Sequence, residues 1–185
     1  ENVLSNSSGD MAWSSDGSYL FYVLRDKETL LPFKLFRHQI GSSQLEDVLV
    51  YEEKDPTFYL SVGNSRSMEF IEINISSTTS SEVRLINSNF PEDSPDIFFK
   101  RESDHLYSIE HDPENNRFLI ETNWLAKNFR LMTIDLKNSM DKNQWNELIP
   151  HREDILLQSA LAFPDHLVIM ERENGLRKLR IITKK

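Results

Sequence analysis

Short strand-like clusters restart along this chain at intervals that hardly change. They open at Asp10 ("DMAWS"), Phe58 ("FYLSV"), His105 ("HLYSIEH") and Leu156 ("LLQSALAF"), which are 48, 47 and 51 residues apart. Between them, runs rich in Val, Ile, Leu, Phe and Tyr alternate with clusters of Asn, Ser, Asp, Gly and Pro. The first interval holds "DMAWS", "YLFYVLRD", "FKLFRHQI" and "DVLVYEE", and the second "FYLSV", "MEFIEINI", "SEVRLIN" and "DIFFKRE". The third holds "LYSIEH", "RFLIETN", "FRLMTIDL" and "WNELIP", whereas the fourth supplies only "LLQSALAF", "HLVIMERE" and "LRKLRIIT". Four antiparallel strands repeated every ~40–50 residues form the pattern of a β-propeller blade. A β-sandwich also strings short strands together, but the regular interval favours the propeller. The expected fold is therefore all-β: a partial β-propeller of about four blades, roughly 10–56, 57–103, 104–152 and 153–185, the last without its fourth strand.

The stretch "WSSDGSYLFYV", Trp13 to Val23, places a polar turn before a run of aromatic and β-branched residues. Asp16-Gly17 predicts a type I′ turn, with positive φ at both residues, between the first two strands of a blade. "DPENN" before "RFLIETN" and "FPD" before "HLVIM" stand at the same place in later repeats. Helical periodicity is nearly absent, and "DKNQWNELI", Asp141 to Ile149, is the best helix candidate.

The composition removes several function classes. The net charge is -9, from 30 acidic and 21 basic residues. Nonspecific nucleic-acid binding needs clustered Lys and Arg to displace counterions, so it is not expected. The apolar runs, such as "LFYVL", fall far short of the ~20 residues that span a bilayer, so no membrane partner is expected either. There is no cysteine, hence no disulfide or thiolate chemistry, which fits a reducing compartment. The chain opens "ENVLSNSSGD", with neither an initiator Met nor the features of a signal peptide, as expected of an excised or processed segment.

Motifs of catalysis are missing. No "GxSxG" elbow, "GxxxxGK[ST]" or "GxGxxG" occurs, and Gly9, Gly17, Gly41, Gly63 and Gly175 are scattered. The serines of "NISSTTSSEV" read as loop residues bonding local backbone. Of the histidines His38, His105, His111, His151 and His166, only His105 and His111 lie close in sequence, with Glu110 and Asp112 nearby. Six residues of extended strand separate them by ~20 Å, too far to share one ion, so no metal site and no cofactor is expected. The acidic runs "YEEKDP" (Tyr51 to Pro56) and "NFPEDSPD" (Asn89 to Asp96) are either solvated loops or a grip for a basic peptide.

Longer strings carry a resemblance. Leu20 to Val62, "LFYVLRDKETLLPFKLFRHQIGSSQLEDVLVYEEKDPTFYLSV", resembles the propeller of the oligopeptidase B branch of the prolyl oligopeptidase family of serine peptidases. "SSTTSSEVRLI" (Ser76 to Ile86), "DHLYSIEH" (Asp104 to His111), "NFRL" (Asn128 to Leu131) and "WNELIPHREDILL" (Trp145 to Leu157) follow in the same order. The resemblance implies a middle part of a seven-bladed propeller that caps an α/β-hydrolase domain bearing a Ser-Asp-His triad. That domain has no counterpart in these residues, so no catalytic residue is carried over and no substrate-binding residue is assigned. The implied parent is a cytoplasmic enzyme that cleaves short peptides after Lys or Arg, its propeller excluding large folded proteins. Its implied partners are short basic peptides and its own catalytic domain. The alternative is a free-standing propeller-type interaction module. An unclosed set of blades is further expected to self-associate through its open edge.

Overall fold

The computed structural model describes residues 3–135 and 140–184. Fifteen strands fall into four antiparallel sheets, each strand pairing with its sequence neighbour. The first sheet is β1 (Ser7–Trp13), β2 (Tyr19–Arg25), β3 (Pro32–Gln39) and β4 (Val48–Glu52). The second is β5 (Tyr59–Asn64), β6 (Phe70–Ser76), β7 (Ser81–Asn87) and β8 (Asp96–Phe99). The third is β9 (Tyr107–Asp112), β10 (Arg117–Thr122), β11 (Arg130–Asp135) and β12 (Asn146–Ile149), and the fourth has three strands, β13 (Ile155–Ala162), β14 (His166–Glu173) and β15 (Leu176–Thr183). The expected strand runs are thus all found, and the last sheet has one strand fewer.

The chain divides into two compact units, Glu1–Thr78 with Glu82–Lys100, and Thr79–Ser81 with Arg101–Lys185. In the N-terminal unit, Ala12, Phe21, Val23 and Leu35 of the first sheet meet Leu60, Val62, Ile71, Ile73 and Ile75 of the second. Register explains the choice. Ala12 opposes Phe21 and Val23 opposes Leu35, so alternate residues of three strands share one face. Burying each large side chain contributes about 1.5–3 kcal/mol. In the C-terminal unit, Leu119, Leu131 and Ile149 of the third sheet pack on Leu157, Ala160, Leu167 and Ile169 of the fourth.

Three sequence expectations change. The turn after Trp13 is not type I′. Gly17 has φ 71° but Asp16 is not in the left-handed region. Gly17 N–H donates to the Ser14 carbonyl (3.0 Å) and Ser14 N–H to that of Tyr19 (3.0 Å), which makes the connection longer than a two-residue hairpin. The Asp16 carboxylate accepts from Ser14 Oγ (2.7 Å) and from Ser18 N (2.9 Å), which holds its pKa down at about 2. Second, Asp141–Ile149 is not a helix. A single 3-10 turn, Lys142–Gln144, capped by Asp141, leads into β12. There Ile149 pairs with Leu131, and the tertiary partner wins over a weak local helix propensity. Third, only the middle of "NISSTTSSEV" is loop, because β6 reaches Ser76 and β7 starts at Ser81.

The turn of the first sheet is rebuilt in the second with other residues. Ser65 N–H donates to the Phe70 carbonyl (2.8 Å) and Met68 N–H to that of Ser65 (2.9 Å). Ser65 Oγ accepts from Phe70 N (3.1 Å), as Ser14 Oγ does from Tyr19 N (2.9 Å). Met68, with φ 62°, occupies the left-handed position that Gly17 fills in the first copy. The repeat is therefore preserved in hydrogen bonding where it has faded in sequence.

Candidate functional site

Both acidic runs lie in the N-terminal unit, and they do different things. Tyr51 to Pro56 runs out of the end of β4 and comes beside the β2–β3 turn, Asp26 to Leu31. Together these segments line a groove of about 290 Å³. Its apolar side is Leu31, Pro32, Phe33, Pro56 and Phe58, and its carboxylates are Asp26, Glu28, Glu53 and Asp55, with Lys54 the one cation. The turns place these groups. Asp26 accepts from Glu28 N (3.0 Å) and Thr29 N (2.8 Å), bonds that lower its pKa and keep it ionised. Asp55 accepts from Thr57 N (2.9 Å) and its hydroxyl (2.7 Å). Glu53 is buried, accepting from the Tyr51 hydroxyl (2.9 Å) and from Asp55 N (2.9 Å). Glu28 is exposed on the rim.

Within Asn89 to Asp96, Pro91 and Glu92 meet Arg37. The Arg37 guanidinium donates to the Pro91 carbonyl (2.7 Å), stands 3.8 Å from Glu92, and lies 5.2 Å from the Tyr19 ring centre. Tyr19 in turn donates to Glu92 (3.0 Å), a bond that raises the phenol's pKa. Sequence reasoning missed Arg37 and Tyr19 because they lie 18 residues apart on adjacent strands.

The histidines do not form a centre. His105, before β9, is buried, shares a hydrogen bond with the Thr122 hydroxyl (2.9 Å) and stacks on Tyr107 at 5.3 Å. Burial, helped by Lys142, pushes its pKa down to about 4, so it is neutral at ordinary pH. His111 is buried against Phe118, ring centres 4.9 Å apart. His38 is tied through Nδ1 to Asp47 (2.7 Å), which also accepts from the Tyr22 hydroxyl (2.7 Å). His151 faces Glu153 at 4.0 Å, and His166 pairs with Thr183 in the β14–β15 register. Among the described residues no three His, Asp or Glu side chains converge as metal ligands.

One carboxyl is perturbed in the other direction. In the C-terminal unit Glu121 faces a cavity of about 130 Å³ with Ser108, Glu110, Leu131 and Ser159, and burial raises its pKa to about 7. Neighbouring Glu110 is engaged, accepting from Ala162 N at 2.9 Å. The Ser108 hydroxyl hydrogen-bonds Glu121 itself, which partly offsets the rise.

The family described as "Prolyl oligopeptidase, N-terminal beta-propeller domain" matches residues 1–185. The chain belongs to this family. Its four sheets are accordingly propeller sheets, and the all-β partial propeller read from the repeat is the fold of this family's N-terminal domain. Dipeptidyl aminopeptidase BI of Pseudoxanthomonas mexicana is 37% identical over 185 residues, covering 98% of this chain and 25% of the relative. Protease 2 of Moraxella lacunata is 36% identical over 174 residues, covering 94% and 24%. Oligopeptidase B from Leishmania major superposes with a TM-score of 0.87 at 27% identity, covering 97% of this chain and 25% of that one. The chain thus spans about a quarter of the length of the proteins it matches. Among the described residues no helix is long and apolar enough to cross a membrane.

Proposed function

We propose that this chain is propeller sequence of a serine oligopeptidase that cleaves short peptides after Lys or Arg, and that the propeller limits access to a catalytic domain elsewhere in the protein. The observation that carries this reading is the match of residues 1–185 to the family's propeller domain, joined to the likeness to a solved oligopeptidase B. Each sheet is read as one blade, with boundaries near residues 56, 103 and 152. The absence of cysteine supports a cytoplasmic setting. The chain itself carries no "GxSxG" elbow, so it supplies architecture rather than a nucleophile.

The test compares two proteins. The 185-residue chain alone leaves Lys- and Arg-containing reporter peptides intact, whereas the full reading frame hydrolyses them, spares folded proteins and loses activity to a serine-directed inhibitor. Inhibitor-sensitive turnover by the chain alone would overturn the assignment, as would a full-length protein with no such activity.

The isolated chain is also proposed to self-associate. β15 is an edge strand, and Leu179 and Ile181 project from one side of it, both 68% exposed. Met170 and Val168 are their register partners on β14, so the exposed side is a continuous apolar strip. Light scattering should show mass rising with concentration above the 21.7 kDa of the monomer. A constant monomer mass at high concentration would remove this proposal.

A further inference from the structure

We propose that the groove beside the β2–β3 turn takes up a lysine or arginine side chain presented by a peptide. The argument is independent of the peptidase reading, since it needs no catalytic domain and concerns a site within the N-terminal unit alone.

The groove has two kinds of surface, and only one class of ligand matches both. Its floor is the rings of Phe33 and Phe58 with flanking Leu31 and the prolines, which favours an aliphatic stem. Its lining has four carboxylates against one ammonium, with Glu28 exposed at the rim, which favours a cationic head. A bare inorganic cation fits poorly. Asp26 and Asp55 spend acceptor capacity on their own turns, and the described residues offer no set of three converging ligands. An anion would meet the groove's negative charge.

The neighbourhood already shows the chemistry. The Lys34 ammonium lies 4.9 Å from the centre of the Phe33 ring, and the Arg84 guanidinium 4.6 Å from that of Tyr51, so cations over aromatic faces are established next to the groove. The groove's volume of about 290 Å³ lies at the bottom of the range for small-molecule sites, which suits one side chain rather than a folded partner. Because Glu28 and Asp55 are exposed to solvent, binding is weak and depends on both the stem and the charge.

The probes are acetyl-Ala-Arg-Ala-amide and acetyl-Ala-Lys-Ala-amide, titrated into the nitrogen-labelled chain at about 150 mM salt while backbone amide resonances are followed. Saturable shifts should concentrate at Leu31, Phe33, Lys54, Thr57 and Phe58. The same peptide with norleucine, which keeps the stem and loses the charge, should shift them far less. Glu28→Lys, an exposed substitution whose fold is checked by the dispersion of the same spectrum, should weaken binding by about tenfold. Phe58→Ala should weaken it independently. Three results would each overturn the proposal: equal binding of the norleucine peptide, unchanged binding in Glu28→Lys, or non-saturating shifts spread over the whole acidic surface.

Discussion

Between the sheets of the N-terminal unit, Phe21, Val23 and Leu35 face Leu60, Ile71 and Ile73, and every one is buried. The corresponding layer of the C-terminal unit interleaves Leu119 and Leu131 with Arg117, Glu110 and Glu121 on the same strand faces. Its sheets share an apolar cluster around Leu157, Leu167 and Ile169, and to this they add charge. Lys184 contacts the fully buried Asp112, which also accepts from Arg117 at 3.0 Å. Glu171, buried as well, is shared by Arg152 and Arg180. One repeat has thus closed the same kind of seam in two ways. Apolar contact is insensitive to pH and salt, whereas a charged seam is stable only while each buried group keeps its partner and its protonation state.

The comparison breaks most visibly at Phe21. Phe21→Ala should cost about 3–5 kcal/mol, read by denaturant unfolding, and the loss should not vary with pH. Native-state hydrogen exchange should place that loss in the N-terminal unit. Asp112→Ala should cost about 3 kcal/mol and lower protection in the C-terminal unit instead, because it removes the carboxylate that neutralises Lys184 and Arg117. If both substitutions unprotected both units equally, the two seams would not be energetically separate.

The pH dependence sharpens the contrast, since two perturbed groups of the C-terminal unit pull in opposite directions. His105 has its pKa lowered to about 4, so the unfolded chain takes up the proton first and stability falls as pH drops from about 6.5 to about 4. Glu121 has its pKa raised to about 7, so the folded state holds the proton longer and stability falls as pH climbs from about 4.5 through 7. In the unmodified chain these slopes offset each other. Glu121→Gln should leave the His105 slope exposed and raise stability above pH 7. His105→Gln should leave the falling Glu121 slope. Flat profiles in both variants would mean that neither group is perturbed.

The smallest expected effects test the shared turn. Gly17→Ala meets no neighbouring atom but is held at φ 71°, so it should cost about 1 kcal/mol. Met68→Gly relieves the same conformation at φ 62° and should gain about 0.5 kcal/mol. Thermal midpoints moving in opposite directions would confirm that the two turns are one design.

The sequence makes the strands and the repeat legible because they depend on local alternation and spacing. What it conceals depends on which faces meet. "RFLIETN" alternates over only part of its length, and nothing in it shows that Leu119 and Glu121 share a face covered by β13. The Asp16-Gly17 pair suggests a tight hairpin, but the geometry is decided by Ser14, whose hydroxyl and carbonyl both enter the turn. Asn64 is invisible as a structural residue in sequence, although its amide donates to the Trp13 carbonyl and accepts from Trp13 N, both at 2.8 Å. Asn128 does similar work in the other unit, donating to the carbonyls of Arg152 and Glu153. The groove is half legible: the acidic run announces its charge, while Phe33 comes from β3 and Phe58 from the loop before β5.

Each sheet pairs only strands that are adjacent in the sequence, from β1-β2-β3-β4 onward. Closing such a meander requires short loops, so its entropic toll is light, and pairing can begin before distant residues exist. On a ribosome, both sheets of the N-terminal unit have their complete sequence once Phe99 has emerged, well before Lys184 is available to meet Asp112. The order of synthesis therefore separates the two seams: the residues of the oily one are all made before those of the charged one, which waits for Lys184. Arrest of translation at successive lengths, with protease protection as the readout, should show the N-terminal unit becoming resistant while the C-terminal unit is still cleavable.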